Sequence, residues 1–222
     1  MEYELKYTLS NHNAMFLKDW LSNKFVPDGE HASGIITSVY YDTFSMAAYY
    51  EKRNSDYIKR KIRLRWYCDL ATKQPDNEAF MEVKQRVGSQ RRKSRILSNI
   101  LPSELEEIDL DSPKLLHELG DTLGIHSMFP SVMIRYKRFR FVDPVTNSRL
   151  SVDMNIRAHK IHPQVGTEAS FSVLPVAVFE YKGQYSRLNP IIKEVGLMGC
   201  RKSSFSKYES VIKWVKSNSM AI

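Results

Sequence analysis

The stretch Ile58-Lys59-Arg60-Lys61-Ile62-Arg63-Leu64-Arg65-Trp66 decides how the rest of the chain is read. With the two-residue period of a β-strand, Lys59, Lys61, Arg63 and Arg65 fall on one face, and Ile58, Ile62, Leu64 and Trp66 on the other. Successive cations then stand about 7 Å apart along the strand. Like charges at that spacing repel one another. The face therefore suits either bulk water or a partner that is strongly and repeatedly anionic.

The neighbouring segments repeat the pattern. Glu2, Glu4 and Lys6 alternate with Tyr3, Leu5, Tyr7 and Leu9, and the β-branched and aromatic run Ile36–Asp42 reads as a second strand. Beyond the cationic strand, Ala79–Arg86 places Glu82, Lys84 and Arg86 on one face, and Arg91–Leu97 does the same with Arg91, Lys93 and Arg95. Val132–Val142 sets Tyr136, Arg138 and Arg140 against Met133, Phe139 and Phe141, with Arg135 and Lys137 interrupting the second face. Arg149, Ser151 and Asp153 share a face of the seventh strand, and Glu180 and Lys182 one of the eighth. Ser10 or Asn11 can cap a helix carrying Met15, Phe16, Trp20 and Leu21 on a packing stripe and ending before Pro27. Pro102 and Pro113 sit at helix-start positions in a two-helix excursion over about 101–124. A helix near 189–195 and a closing helix through Trp214 complete the expected elements.

Composition narrows the class. The chain has 222 residues, 42% hydrophobic and 26% charged, which suits one globular domain over 1–222. Thirty-three Lys and Arg against 25 Asp and Glu leave a net charge of +8, favouring an anionic partner. Cys68 and Cys200 are too few and too far apart for a disulfide framework or a cysteine zinc site. No basic-then-apolar leader opens the sequence and no apolar run approaches the roughly 18 residues of a membrane span. A soluble, cytoplasmic protein without a membrane span is the expectation.

Eight strands with one apolar and one charged face need cover for the apolar side, which the helices can supply. The charged faces are then expected to point at each other, giving an α+β fold built on an eight-stranded antiparallel barrel with helices outside. An interior filled with cations and a few carboxylates is tolerable only when it is wet and neutralised by an anion. The alternative is a sandwich with solvated outer faces. Two features weigh against it: the carboxylates recur two residues from a cation at matching strand positions, and Thr, Ser and Gln are scarce on these faces. A nucleic-acid partner is the rival from another class, since Tyr40, Tyr41, Trp66 and Tyr67 lie near the basic strands. The interleaved acids argue against it. No glycine-rich phosphate loop is present, and His159 and His162 are read as ordinary polar-loop residues rather than a metal pair.

Glu2-x-Glu4-x-Lys6 resembles the ExExK signature of the triphosphate tunnel metalloenzymes. The likeness continues in order through Ser38–Thr43, Lys61–Arg65, Phe80–Lys84, Tyr136–Arg138, Arg149–Asp153, Phe179–Lys182 and Ser206-Lys207-Tyr208, as in the VTC polyphosphate polymerase domains of the CYTH-like superfamily. That resemblance implies that Lys6, Lys61, Arg63, Arg65, Lys84, Arg138, Arg149 and Lys207 are the catalytic cations holding successive phosphates. It implies Glu180 as principal metal ligand, assisted by Glu2, Glu4 and Glu82. Lys59, Lys93, Arg95, Lys182, Tyr136 and Ser206 are expected to line the same substrate path. The cofactor implied is a divalent metal, Mn²⁺ or Mg²⁺, and the partners are a nucleoside triphosphate and inorganic polyphosphate. The expected activity is polyphosphate synthesis from the nucleotide γ-phosphate, with triphosphate hydrolysis and non-catalytic polyphosphate binding as alternatives. Unlike the eukaryotic members, the chain is expected to lack an N-terminal regulatory domain and a membrane segment.

On this reading a polyanion relieves the repulsion among Lys61, Arg63 and Arg65, so polyphosphate should raise the melting temperature. Differential scanning fluorimetry should show that rise lost in Arg63→Ala and kept in Arg60→Ala, which alters the opposite face. Equal loss in both would return the strand to the solvated-sandwich reading.

Overall fold

Alternating runs of β-branched, aromatic and charged residues form the strands of the computed structural model, which describes residues 3–29, 31–166, 173–184 and 194–219. The strands are β1 (Tyr3–Ser10), β2 (Val26–Pro27), β3 (Ser33–Asp42), β4 (Ile58–Cys68), β5 (Pro75–Val87), β6 (Gln90–Leu97), β7 (Phe129–Val142), β8 (Arg149–Ile161), β9 (Val176–Gly183) and β10 (Arg201–Lys202). The helices are α1 (Asn11–Lys24), α2 (Ala47–Arg53), α3 (Pro102–Glu107), α4 (Pro113–Leu123) and α5 (Lys207–Ser219). The strands hydrogen-bond in the order β10-β1-β9-β8-β7-β3-β4-β5-β6, with β2 on β7. The fold is thus α+β on a large antiparallel sheet. Among the described residues the order has two ends, β10 and β6, so the sheet is open where a closed eight-stranded barrel was expected. Among these residues no pairing joins β6 to β1 or β10. Two further strands, β2 and β10, carry no periodic signal because each is two residues long. No helix among the described residues is long and apolar enough to cross a membrane.

The chain divides into two compact units, one of Met1–Ile35, Tyr136–Ile156 and Val173–Ser206, the other of Ile36–Arg135, Arg157–Ser172 and Lys207–Ile222. In the first, Ser10 Oγ accepts the Asn13 amide at 3.1 Å and caps α1. The buried stripe of α1 is Ala14, Leu17 and Leu21, which packs with Leu9, Val152, Ala177 and Phe179. Met15 and Phe16, expected on that stripe, are each 59% exposed. Spacings of three and four residues from Leu17 and Leu21 select Ala14 rather than the bulkier pair. Asn11 ties the helix start to the strands: its Nδ2 donates to the Leu174 carbonyl at 2.7 Å and its Oδ1 accepts from the Asn155 amide at 3.0 Å.

In the second unit the apolar face of β4 and β5 buries Ile62, Leu64, Trp66 and Met81 almost completely. Helix α3 packs on β5, and α2 on β4 and α5. The Trp66 indole donates to Glu106 and Arg135 pairs with the same carboxylate, while Lys160 Nζ donates to the carbonyls of Glu107 (3.0 Å) and Ile108 (2.8 Å) at the end of α3. Strand β8 continues through His159 to Ile161, so the His159 segment is strand rather than polar loop. Burial, reinforced by Arg135 and Arg157, lowers the His159 pKa to about 4 and keeps it neutral. His162 follows the strand and meets the Phe129 ring edge-on.

Helix α2 carries no start signal of its own in the sequence. Its N-cap, Met46, is left-handed with φ 58° and offers no side-chain cap. The cap comes instead from Asp42, whose carboxylate accepts from the amides of Ala48 (2.9 Å) and Tyr49 (3.1 Å). Asp42 also accepts the Tyr208 hydroxyl at 2.6 Å, and Ser131 Oγ donates to Tyr208 at 3.3 Å. Burial and the Asp42 charge raise the Tyr208 pKa and keep its proton in place. One buried carboxylate therefore joins β3, α2 and α5. Tyr208→Phe strips a donor from it and should lower the unfolding free energy by about 1–3 kcal/mol. An unchanged urea midpoint in Tyr208→Phe would refute that role.

Candidate phosphate-binding faces

Cross-strand register turns the alternation of β4, β5 and β6 into rows on one face. Arg65 stands opposite Phe80 and Leu97, Arg63 opposite Glu82 and Arg95, Lys61 opposite Lys84 and Lys93, and Lys59 opposite Arg86 and Arg91. Glu82 is the sole carboxylate in these rows and is only 3% exposed. Its Oε2 accepts from Arg63 Nε at 2.8 Å and Nη2 at 2.5 Å and lies 3.5 Å from Arg65 Nη1; Oε1 lies 3.2 Å from Lys93 Nζ. Burial alone would raise the Glu82 pKa, but Arg63 and Arg65 outweigh it and hold it at about 2.

Arg63 is fixed from two sides, since its Nη1 also donates to the Tyr40 hydroxyl at 3.1 Å. Tyr40 stacks on Tyr208 with ring centroids 5.2 Å apart. Burial disfavours the Tyr40 phenolate, yet Arg63 and Arg65 bring its pKa down to about 8. Arg65 is anchored by Ser38 Oγ at 3.3 Å, and Arg95 lies over the Phe80 ring at 3.5 Å from its centroid. Lys207 opens α5 and adds to the positive potential at Tyr40. Repulsion alone thus misdescribes Arg63. Removing it strands a buried carboxylate short of donors, so Arg63→Ala carries a stability cost that the strand pattern did not reveal.

The first unit has its own charged face on β1, β9 and β8. Lys6 stands opposite Glu180, which stands opposite Ser151; Glu4 stands opposite Lys182, which stands opposite Arg149. Lys6 Nζ lies 2.8 Å from Glu4 Oε1 and 3.6 Å from Glu180 Oε2, and Lys182 Nζ lies 2.9 Å from Glu180 Oε1. Burial works against the Lys6 ammonium, but the Glu180 and Glu4 carboxylates outweigh it and raise its pKa. Arg138 grips the fully buried Asp153 through Nε at 2.5 Å and Nη2 at 2.7 Å, and its guanidinium lies 5.4 Å from the Tyr136 ring centroid. Burial would lower the Arg138 pKa, but Asp153 outweighs it and raises it further. Asp153, one of the carboxylates recurring two residues from a cation, shares its strand phase with Arg149 and Ser151, and the structure pairs it with Arg138. Ser206 is buried just before α5.

Glu4 and Glu180 already gather around one ammonium, and their carboxylate oxygens are the donors a hard divalent cation takes. Glu82, in the second unit, has Arg63, Arg65 and Lys93 as its neighbours. Glu2 lies outside the described residues. Among those described, no group of three or more His, Cys, Asp and Glu is arranged to hold a metal.

A Glu82 pKa of about 2 against an ordinary 4.5 means that the ionised carboxylate adds stability fully present above about pH 4.5 and lost as pH falls toward 2. Glu82→Gln should therefore cost about 2–3 kcal/mol at pH 7, and its thermal melting point should approach that of the parent as pH falls from 4.5. A gap independent of pH would show that packing, not charge, holds Glu82.

The comparisons with known proteins agree with this architecture. A Bacillus halodurans protein described as a candidate adenylate cyclase superposes with a TM-score of 0.53 at 14% identity, covering 93% of this chain and 94% of that one. A Pyrococcus horikoshii protein gives 0.51 at 12% identity over 95% and 99%. A second candidate adenylate cyclase, from Vibrio parahaemolyticus, gives 0.50 at 12% over 96% and 97%. At such identities the likeness is one of fold. No curated protein matches the chain. The model of the VTC domain matches residues 1–216, nearly the whole length that carries both charged faces, and the chain belongs to the VTC domain family.

Proposed function

We propose that this chain catalyses divalent-metal-dependent phosphoryl transfer, building inorganic polyphosphate from the γ-phosphate of a nucleoside triphosphate. The observation that carries this reading is the register of β4, β5 and β6, which sets cations in consecutive rows around one buried carboxylate. Membership of the VTC domain family supports it, and two solved structures of like fold are described as candidate adenylate cyclases.

In the reaction the bond between the γ-phosphorus and the β,γ-bridging oxygen breaks as a terminal oxygen of the polyphosphate chain bonds to that phosphorus, releasing the diphosphate. Such a transfer needs positioning and charge neutralisation rather than a protein nucleophile. Arg63 and Arg65, preset by Glu82, Tyr40 and Ser38, offer forks of fixed direction, whereas Lys61 and Lys84 supply mobile point charges. Lys6, Lys182, Arg149 and Lys207 serve as further phosphate contacts in this reading, and Arg138 is oriented by Asp153. Glu180 and Glu4, with Glu2 two residues earlier in sequence, would hold Mn²⁺ or Mg²⁺; when bound, the ion neutralises charge on the transferring phosphoryl group.

Purified protein given ATP with Mn²⁺ or Mg²⁺ should accumulate polyphosphate, and Glu180→Gln should abolish it with either ion while circular dichroism stays unchanged. Orthophosphate as the only product would make the chain a hydrolase, and no product at all a binding module. Full activity in Glu180→Gln would remove Glu180 from the metal site.

A further inference from the structure

The rows on β4, β5 and β6 differ in chemistry along the strands. The inner rows hold the buried charges: Arg65 is 7% exposed and Glu82, in the Arg63 row, 3%. The next two rows, Lys61–Lys84–Lys93 and Lys59–Arg86–Arg91, are cationic at every position and contain no acid. Residues Lys84, Arg86, Arg91 and Lys93 are all exposed. Directly opposed like charges destabilise a sheet, and a merely solvated face has no reason to place cations at all six positions. The rows lie about 7 Å apart, so the Lys59 row is roughly 14 Å beyond the Arg63 row. A triphosphate or nucleotide held at Arg63 and Arg65 leaves no phosphates for that distance.

We infer that Arg86 and Arg91, with Lys59 in the same row, form an outer anion subsite that engages long inorganic polyphosphate and is not reached by triphosphate. The inference rests on the proposed function only in placing a phosphate end at the Arg63 row. A carboxylate-free row suits bare, fully ionised phosphates, whereas a row containing Glu82 must reconcile an acid with the ligand. Hairpin geometry holds the outer row in place. The Gly88 amide donates to the Tyr57 carbonyl at 2.9 Å, and Arg86 Nε donates to the Gly88 carbonyl at 2.6 Å. Neither outer row contains an aromatic side chain: Phe80, covered by Arg95, belongs to the Arg65 row, and Tyr57, beside Gly88 and 72% exposed, lies outside the rows. Base stacking, on which single-stranded nucleic acid depends, is thereby disfavoured relative to a polymer that is phosphate throughout.

The test compares Arg86→Gln/Arg91→Gln, on β5 and β6, with Arg60→Gln/Arg92→Gln, on β4 and β6, which removes the same charge from the adjacent row on the opposite face of the sheet. Binding of long-chain polyphosphate, of inorganic triphosphate and of a single-stranded RNA of matching charge is measured by calorimetry, without metal or nucleotide. The first variant should weaken long-chain polyphosphate by about tenfold while triphosphate changes less than about twofold. The second should change neither by more than about twofold. Equal losses in the two variants would reduce the face to diffuse attraction, and a parallel loss of triphosphate would merge the outer rows with the inner site. Equal binding of RNA and polyphosphate would make it a nucleic-acid surface instead; each of these results overturns the inference. Wild-type protein that binds long polyphosphate but makes none would end the proposed synthesis and leave this subsite standing.

Discussion

Glu82 is the constraint on which the charged face of β4 and β5 depends. A carboxylate excluded from water costs several kcal/mol unless charge partners surround it, and Arg63, Arg65 and Lys93 do so within 3.5 Å. The arrangement is reciprocal: the arginines are stacked two residues apart on one strand and would repel without the acid between them. It also sets direction. A guanidinium gripped by Glu82 on one side and by Tyr40 on the other presents its remaining edge in a defined orientation, which suits recognition of tetrahedral oxyanions.

Behind that face the same logic runs into the helices. Tyr40 stacks on Tyr208, Tyr208 donates to Asp42, and Asp42 caps α2. The Ser-Lys-Tyr segment therefore combines two duties in adjacent residues, with Lys207 contributing charge near Tyr40 and Tyr208 contributing a hydrogen bond in the core. The first unit repeats the theme with other residues. Lys6 lies between Glu4 and Glu180, and Arg138 is forked onto Asp153. In both units a buried or half-buried acid presets the cations, so an anion meets side chains that are already oriented.

Much of this was legible in sequence because strand alternation is a local property. Lys61, Arg63 and Arg65 had to share a face with one another, and so did Glu82 with Lys84, whatever the tertiary structure. The ordered run of short motifs from Glu4-x-Lys6 to Ser206-Lys207-Tyr208 likewise pointed to the VTC domain without coordinates. Helix α1 shows where local reading failed: hydrophobicity favoured Met15 and Phe16, but packing room favoured Ala14 and Leu17. Helix α2 was invisible because its cap, Asp42, belongs to the preceding strand and acts across a left-handed Met46.

The sequence by itself determined which side chains share a strand face, the excess of cations over acids, and the family. Tertiary structure alone decided which charges oppose which. Register between strands separated by turns and helices made Glu82 the neighbour of Arg63 and Arg95 and left Arg86 facing Lys59 and Arg91. It also decided that Asp153 belongs to Arg138. Periodicity runs along one strand, whereas register is set by turn geometry and by burial of the opposite face, and neither is encoded in the spacing of the charges.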